Sequence, residues 1–534
     1  MPPKLRFAKA VFVGWLALLT VGSHVQAADQ PKAGSTADHS KFKELQQEFQ
    51  SGPEVTKACL SCHTEAARQL MHTEHWRWEY LNPKTDQKLG KIHIINNFCT
   101  SAQSNLPACA SCHIGYAAMT DKGVKDDETL VDCLACHDTT GAYSKPSGLG
   151  GMVYGKDVEV PPGSGKIIKG LKLQKIAQKV GKTSRKTCGA CHFNGGGGDA
   201  VKHGDLDSSL EDPDKKLDVH MDAEGLNFTC ATCHKTDGHN VPGSRYAPTA
   251  ADKEGVMIRG KEKDRNPATC QSCHGQKPHK EKNAAKLNNH TNKLACQTCH
   301  IPAFARGEIA TKMFWDWSTA GKRGEDGKPL IVKNEEGHII YSGMKGDFRY
   351  EENVKPDYVW FNGDVNYTLR DTKVDKAQQP IYINRFQGSP TDGRSRIWPV
   401  KTFRGKQPFD AEYKTLVVSH LAGADDTAFW TNLDWNRAIE SGMKSAGLPF
   451  SGKIDFIETI SQWPITHMVA PKDKAVACNE CHAQGGRLEG LPGVYLPGRD
   501  RVEWLDSAVK VLALLALLGV FAHGALRIIS SKKR

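Results

Sequence analysis

The chain has 534 residues, a net charge of +11 and only 39% hydrophobic residues. Its length suits two to four domains, but the apolar content is too low for side chains alone to fill their cores. The 50 glycines and 26 prolines argue against long helices, and the positive charge favours anionic partners without selecting a fold or a reaction.

The first predicted element is a secretory signal peptide over residues 1–27. Lys4, Arg6 and Lys9 flank the start of the apolar run VFVGWLALLTVG, and a small-residue cleavage site ends at Ala27. An N-terminal membrane helix is the alternative, and the shortness of the run disfavours it. The mature chain is therefore expected in the periplasm.

Eight Cys-x-x-Cys pairs follow, and a histidine comes directly after every pair. Disulfides, zinc sites and redox thiols also use cysteines, but none of them needs a histidine at this fixed place. The pattern is typical of covalent haem c, in which two thioethers hold the porphyrin and the histidine binds iron. The predicted attachment cysteines are Cys59, Cys62, Cys109, Cys112, Cys133, Cys136, Cys188, Cys191, Cys230, Cys233, Cys270, Cys273, Cys296, Cys299, Cys478 and Cys481. The predicted proximal ligands are His63, His113, His137, His192, His234, His274, His300 and His482.

Eight haems would supply the apolar bulk that the side chains lack. We therefore predict a multihaem cytochrome c fold, mostly short α-helices and loops wrapped around eight haems. Seven motifs lie within 28–300 and the eighth within 478–505. The haem-free stretch 301–477 contains strand-like segments such as IIYSGM, RYEENV and DYVWFNGDVNY, which predict a mixed α/β insertion packed on the haem array. Motifs close in sequence, at 109 and 133 and at 270 and 296, are expected to be spatial neighbours.

A six-coordinate haem iron needs a second axial ligand, most often histidine. His24 leaves with the signal peptide, His39 lies in a polar tail and His523 lies in an apolar C-terminal stretch. The histidines that remain could serve every iron: His72, His75, His93, His203, His220, His239, His279, His290, His338, His420 and His467. The seventeenth cysteine, Cys99, belongs to no motif and is either a buried inert thiol or a reactive one.

The last predicted element is a transmembrane helix over residues 507–529. The run VLALLALLGVFAHGAL is uncharged, and the basic residues of the tail, 530–534, favour a cytoplasmic C-terminus. A buried amphipathic helix is the weaker alternative, because nothing polar lines one face before His523. The protein is thus expected to be periplasmic and anchored to the inner membrane.

The chain resembles the octahaem tetrathionate reductases, relatives of hydroxylamine oxidoreductase. Four segments carry this resemblance: INNFCTS before CASCHIGY, VDCLACHDTTGAY, CGACHFNGGGGDAVKHGDLD and NNHTNKLACQTCHIP. It implies a catalytic haem on Cys109, Cys112 and His113, with Lys202 as its distal ligand and Asp199 and Cys99 beside it. Asp199 is expected to hydrogen-bond Lys202 or to relay a proton, and Cys99 to contact the substrate sulfur. The resemblance also implies seven distal histidines: His75, His203, His220, His239, His279, His290 and His467.

Lys202 and His203 are adjacent, so their side chains point in different directions and could serve two irons. If the segment were helical, Asp199 and Lys202 would share a face. The resemblance implies reduction of tetrathionate to thiosulfate, with electrons from a membrane quinol-oxidising cytochrome or a periplasmic cytochrome. Nitrite or hydroxylamine reduction, and a conduit without substrate, are the alternatives, and a nucleic-acid partner is not expected.

Overall fold

The computed structural model describes residues 37–160, 163–250, 252, 268–496, 500 and 502–532. The predicted signal peptide lies outside the described residues. Within them, the haem-attachment half of the chain is built from short helices joined by turns, as predicted. Short 3₁₀ turns occupy His39–Lys41, Lys43–Leu45, Ala110–Cys112, Glu128–Leu130, Ser208–Glu211, Trp317–Thr319, Lys376–Gln378 and Lys472–Lys474.

The α-helices of the described residues are mostly two turns or less. They are α1 (Gly52–Leu60), α2 (Ala66–Met71), α3 (Glu74–Arg77), α4 (Leu106–Cys109), α5 (Leu134–His137), α6 (Leu173–Ala177), α7 (Arg185–His192), α8 (Cys230–Cys233), α9 (Gln271–His274), α10 (Ala284–His290), α11 (Cys296–His300), α12 (Phe429–Asn432), α13 (Trp435–Ser445), α14 (Cys478–Cys481) and α15 (Glu503–Ser531).

Each haem-attachment motif begins in or beside one of these helices. Residues three and four apart share a helix face, so a single turn presents both cysteines and the histidine to one side. In α7, for example, Ser184 caps the first turn through its hydroxyl, and Cys188, Cys191 and His192 follow on the last turns. The motif therefore needs only a helix as short as the ones observed.

The strands fall into three two-stranded ribbons and one large sheet. They are β1 (Tyr80–Leu81), β2 (Lys88–Leu89), β3 (Met119–Thr120), β4 (Gly123–Val124), β5 (Val158–Glu159), β6 (Ile167–Ile168), β7 (Thr311–Asp316), β8 (Ile331–Lys333), β9 (Ile339–Ser342), β10 (Gly346–Glu351), β11 (Asp357–Phe361), β12 (Asp364–Tyr367), β13 (Ile381–Gln387), β14 (Arg396–Asp410), β15 (Thr415–Leu416) and β16 (Ile454–Pro464).

The large sheet is the mixed insertion that the sequence predicted between the seventh and eighth motifs. Its order is β12-β13-β16-β14-β7-β10-β9-β8, with β11 and β15 also paired to β14. The pairs β14–β7 and β13–β16 are parallel, whereas β14 and β16 run antiparallel over eleven residue pairs. The predicted strand segments coincide with β9 to β12.

One core of this sheet reaches the haem-binding half. Trp315, Phe403 and Trp463 from β7, β14 and β16 pack with Phe98 and Val201 from the loops around the second and fourth motifs. Phe98 and Phe403 lie with ring centroids 4.4 Å apart. The insertion therefore forms one wall of the region that contains Cys99 and Lys202.

The C-terminal helix α15 is unlike the other helices. It has 29 residues, an 18-residue window of mean hydropathy 2.1, and no residue of that window buried within the protein. At 1.5 Å per residue such a helix exceeds the ~30 Å of a bilayer core. It is long and apolar enough to cross a membrane, and it extends a few residues beyond both ends of the predicted span.

Candidate haem ligands and active site

Seven of the eight motif histidines face a second histidine in the described structure. The ring centroids of each pair lie 6.0–6.5 Å apart, a spacing that hardly varies. The pairs, with the motif histidine first, are His63–His39, His137–His239, His192–His75, His234–His467, His274–His220, His300–His279 and His482–His290.

This spacing fits one iron between two imidazoles. A metal–nitrogen bond of about 2.0 Å on each side, added to the two ring radii, separates the ring centres by about 6 Å. In the described part of the chain, no group of three or more His, Cys, Asp or Glu side chains could hold a bare metal ion. Two axial nitrogens with an adjacent pair of cysteines are what a covalently attached haem requires.

Several of these histidines are oriented by a bond at Nδ1. Nδ1 of His137 and of His234 lies 2.8 Å and 2.9 Å from a backbone carbonyl, of Gly181 and Pro242 respectively. Nδ1 of His467 lies 3.1 Å from Asp205 Oδ2. Such bonds fix the tautomer and leave Nε2 for the metal.

Six of the seven predicted distal histidines are placed opposite a motif histidine, but His203 is not. Its ring is buried against Trp463, with centroids 5.7 Å apart, and it meets no motif histidine ring in the described structure. His39 takes the seventh place, opposite His63. The prediction set His39 aside as part of a polar tail. The structure corrects this, because Leu45 and Phe49 anchor that tail in a core with Val55.

The other histidines considered from the sequence bind protein groups. Nδ1 of His72 meets the Arg68 carbonyl, Nε2 of His93 meets Glu79, and His420 lies between Ser104 and Asp425. His338 stacks on Tyr350.

Contacts between cysteine side chains place the motifs in spatial order. The side chains of four cysteine pairs lie next to each other: Cys59–Cys133, Cys112–Cys191, Cys188–Cys230 and Cys270–Cys296. Three further pairs interact electrostatically: Cys136–Cys188, Cys233–Cys270 and Cys299–Cys481. The motifs therefore form a line, first, third, fourth, fifth, sixth, seventh and eighth, and the second motif branches from the fourth. The predicted neighbourhood of the motifs at 270 and 296 is confirmed. The motifs at 109 and 133 are also neighbours, as predicted, because the backbone N–H of Asp132 donates to the Ile114 carbonyl at 3.3 Å, although the cysteine contact of the motif at 109 is with the motif at 188.

The second motif is the exception to histidine pairing. His113 is fully buried between Trp76 and Trp78, whose ring centroids lie 5.3 and 5.1 Å from its own. Its Nε2 lies 2.6 Å from the Trp76 carbonyl, and its Nδ1 is buried without a hydrogen-bond partner in the described structure. This orientation is the reverse of that of His137 and His234, so iron binding through Nε2 of His113 would take the place of the contact with the Trp76 carbonyl.

Lys202 lies near this motif. Its side chain is 4% exposed, its Nζ lies 3.4 Å from the Asn97 carbonyl and 4.5 Å from the Trp463 ring centre, and it interacts electrostatically with Cys112. Burial lowers the pKa of the Lys202 amine well below its ordinary value, and the cations Arg245 and Lys91 lower it further. A neutral amine can bind a metal, so the site suits the distal role implied by the resemblance.

The segment that carries Lys202 is a chain of turns after α7, not a helix. Gly196 has φ +82°, and a Cβ there would meet the Phe98 ring at 2.7 Å. Asp199 does not share a helix face with Lys202. Its carboxylate accepts bonds from the Ser208 backbone, at 2.9 Å, and from the Ser208 hydroxyl. Asp199 thus holds the turn in place.

A buried lysine that the sequence analysis missed supports this segment from the sheet. Lys401 on β14 is 0% exposed and donates to the carbonyls of Val201 and Lys202, at 3.3 and 3.0 Å, and to the Thr311 hydroxyl at 2.6 Å. Burial lowers the pKa of Lys401 to about 7, while Asp205 and Glu351 oppose the shift. The pattern of polar and apolar residues along β14 did not indicate that Lys401 points inward beside the site.

Cys99 lies on the same side of the second motif. It interacts electrostatically with Cys109, and burial raises the pKa of its thiol while Lys345 and Lys312 oppose the rise. Phe98, the residue before it, has φ +104°, which is uncommon for a bulky side chain and concentrates at functional sites. The structure therefore brings Cys99 and Lys202 to one motif.

Cations dominate the surroundings of these two residues. Lys312 is 4% exposed, and its Nζ lies 3.5 Å from the Phe348 ring centre and 3.9 Å from that of Trp315. Arg245 packs on Trp463, the ring that Lys202 also contacts. Burial lowers the pKa of Lys312 well below its ordinary value, and Lys345 adds to the effect. At rest Arg245 therefore supplies the positive charge of the site, whereas the buried amines of Lys202 and Lys312 are held towards their neutral forms. A bound anion would favour protonation of both amines, so the site suits an anionic ligand.

The haem count is open to direct measurement. Eight attachment motifs, all on surfaces that face one another, predict that the mature protein carries eight haems. Intact-mass measurement of acid-acetone-treated protein should give the polypeptide plus eight haems, because thioethers survive this treatment. A protein with seven or fewer would show that at least one motif is unused.

Comparisons with known proteins agree with this arrangement. The sequence profile of the family "Cytochrome c554 and c-prime" matches residues 58–138, and that of the family "Cytochrome c bacterial" matches residues 312–485. An uncharacterized protein of Archaeoglobus fulgidus is 26% identical over 263 residues, which cover 42% of this chain and 86% of the relative.

A solved structure is more informative. The octaheme cytochrome c from Shewanella oneidensis shares 37% sequence identity with the chain and superimposes with a TM-score of 0.74, covering 86% of this chain and 97% of that one. The relative is matched along nearly its whole length, and its eight haems correspond in number to the eight motifs. The chain therefore belongs to the octahaem c-type cytochromes.

Proposed function

We propose that the protein is a membrane-anchored periplasmic reductase that cleaves tetrathionate at the haem carried by His113. The observations that support the proposal are that no second histidine ring faces His113 in the described structure and that the buried amine of Lys202 lies near this motif. The seven histidine pairs would each hold a haem without a free ligand position, which suits electron transfer. Lys202 would hold the haem of the second motif as a weaker ligand than histidine and could give way to substrate.

The reaction needs electrons and charge stabilisation more than acid–base chemistry. Tetrathionate, a dianion, takes up two electrons and yields two thiosulfate dianions, so one sulfur–sulfur bond breaks and no proton is consumed. The haem supplies the electrons when bound. The residues of the chain supply the positive surroundings: Arg245 attracts the dianion, Lys312 gains its proton as the dianion approaches, and the amine of Lys202 would become an ammonium beside it once released.

Cys99 would contact the substrate sulfur. Because burial raises the pKa of its thiol, we expect Cys99 to be protonated at rest and to gain thiolate character only through Lys312 and Lys345. Thiolates attack sulfur–sulfur bonds, so a transient covalent contact is within its chemistry. The proton relay predicted for Asp199 stays a prediction.

Replacing Cys99 tests this assignment. Cys99→Ala should lower kcat for tetrathionate by about tenfold or more and leave haem content unchanged, since the residue belongs to no attachment motif. Ser101→Ala is the matched control, because its hydroxyl is buried in the same loop without a hydrogen-bond partner in the described structure. Equal tetrathionate turnover in the Cys99→Ala and Ser101→Ala variants would show that Cys99 does not take part in the reaction.

A conduit without a substrate is the second candidate. The unbroken line from the first motif to the eighth favours it, because such a line could carry electrons across the protein. The two functions differ at the second motif, which a conduit does not need. Purified holoprotein, reduced with an artificial donor and mixed with tetrathionate, nitrite or hydroxylamine, separates them: oxidation by none of the three would favour the conduit.

A further inference from the structure

A buried ion pair lies behind the second motif, on the side of its own histidine. Lys145 Nζ and Asp132 Oδ2 are 2.9 Å apart, and the two side chains are 7% and 0% exposed. By contrast, most ion pairs of the described residues lie at the surface, as Lys169 and Asp157 do with 83% and 50% of their side chains exposed. A buried charge persists only where the structure compensates it fully.

The carboxylate of Asp132 is compensated at both oxygens. Oδ1 accepts from the Tyr116 hydroxyl at 2.9 Å and from the backbone N–H of Ala135 at 3.0 Å. Oδ2 accepts from the Tyr143 hydroxyl at 2.8 Å in addition to Lys145. Because Ala135 lies in α5, Asp132 also satisfies the first turn of the helix that carries the third motif.

The ammonium of Lys145 is directed to the second motif. It donates to the carbonyls of His113, at 2.5 Å, and Gly115, at 3.2 Å. The carbonyl of His300, by comparison, accepts from a backbone N–H, that of Ala470. A side chain at Gly115 would clash, since its Cβ would lie 2.8 Å from the His113 ring. Lys145 therefore brings a full charge to the backbone of the proximal ligand.

We infer that Asp132 and Lys145 are positioning residues that fix the proximal ligand of the His113 haem and set its reduction potential. The pair links the helix of the third motif to the histidine of the second. The pair contacts the backbone of His113 and Gly115, so the inference does not depend on which substrate the protein reduces.

The sign of the effect follows from charge. Reduction of a ferric haem removes one positive charge, so a nearby cation favours the ferrous state and a nearby anion disfavours it, most strongly where water is excluded. In the intact pair the positive charge of Lys145 and the negative charge of Asp132 nearly cancel. Removing Lys145 alone leaves the buried Asp132 carboxylate uncompensated, which favours the ferric state.

Redox titration of the full-length holoprotein, monitored by electron paramagnetic resonance without substrate, tests the inference. Lys145→Met should lower the ferrous-to-ferric ratio of the His113 haem at a fixed potential by about tenfold, which is ~59 mV for one electron. The double variant Asp132→Asn with Lys145→Met should recover most of the loss, because it removes both charges and keeps both volumes. Lys169→Met, from the exposed pair, should leave the titration unchanged.

The same experiment can overturn the inference. An unchanged potential in Lys145→Met, or a double variant shifted at least as far as the single one, would mean that the pair acts only in packing. If Lys145→Met fails to assemble, Asp132→Asn takes its place, and anything but a rise in potential would count against the inference. The His113 signal is assigned as the one lost when Cys109 and Cys112 are both replaced by serine, which keeps this test separate from the ligation of Lys202.

Discussion

Lys202→Ala should abolish most of the tetrathionate turnover while leaving the protein with its haems attached. Lys202 lies near the second motif, and among the candidate distal ligands in the described residues it is the one that is not a histidine. Its release would place a cation beside the dianion. Removing such a preorganised charge typically costs two to three orders of magnitude in kcat. The electron paramagnetic resonance spectrum should change for one haem and stay the same for the histidine pairs.

Two further variants separate ligation from charge. Lys202→Met replaces the amine by a thioether. A thioether can bind haem iron and raises the reduction potential of c-type cytochromes, but it cannot take up a proton. It should keep the iron six-coordinate and still turn over poorly. His203→Ala should leave the spectrum of the paired haems intact, since the His203 ring faces Trp463 and not a motif histidine. An unaltered spectrum and unaltered turnover in Lys202→Ala would show that the lysine is not the ligand.

The attachment motifs were predictable because their chemistry is local. Cysteines, histidine and helix turn all lie within five residues, so the spacing alone specifies the haem. The strands of the insertion were predictable for a similar reason: alternating aromatic and β-branched residues suit a pleated surface wherever it packs. Both outcomes needed no knowledge of the distant parts of the chain.

The remaining parts of the site depend on contacts between distant segments. His39 reaches His63 only because Leu45 and Phe49 bury their side chains and hold the tail on the fold. Lys401 supports the Lys202 segment across about 200 residues of sequence. Hydrophobic periodicity indicates which face of an element is buried but not what lies opposite. A lysine at an inward position therefore gave no functional signal.

The string VDCLACHDTTGAY is an instructive intermediate case. It carried part of the family resemblance, yet only its cysteines and His137 had a predicted role. The structure gives roles to Asp132 and Tyr143 within the same string, because Lys145 returns from the following loop to meet the carboxylate. A buried acid beside an attachment motif is a signal that sequence reasoning could use.

The C-terminal helix gives the second large expected effect. Deleting residues 507–534 should release a soluble protein that reduces tetrathionate at the full rate with an artificial donor and at almost no rate with membrane quinol. In the match to the Shewanella oneidensis structure, 86% of this chain accounts for 97% of that one, and the apolar window of α15 is not buried within the protein, so we expect the haem-binding part to fold without this helix. Membrane fractionation and the two donor assays measure the effect.

The path of the chain suggests where electrons enter. Leu488, Leu491 and Leu496 pack with Trp360 and Ile397 beside the eighth motif. Six residues separate Leu496 from α15, and these span ~20 Å at most. With α15 in a membrane, this connection would hold a haem between His482 and His290 near the membrane surface, and we propose it as the acceptor for a membrane quinol-oxidising cytochrome.

Lengthening this connection separates anchoring from electron entry. A flexible spacer of roughly 20 Gly and Ser residues inserted after Leu496 should keep the protein in the membrane but lower the quinol-dependent rate, because the effective concentration of the haem at its donor falls as the tether lengthens. His523→Ala tests direct helix contact, since an ionisable residue within an apolar span usually faces protein. Loss of the quinol-dependent rate in this variant alone would place the donor against α15. Full rates in both the spacer variant and the deletion would instead mean that a soluble periplasmic cytochrome delivers the electrons.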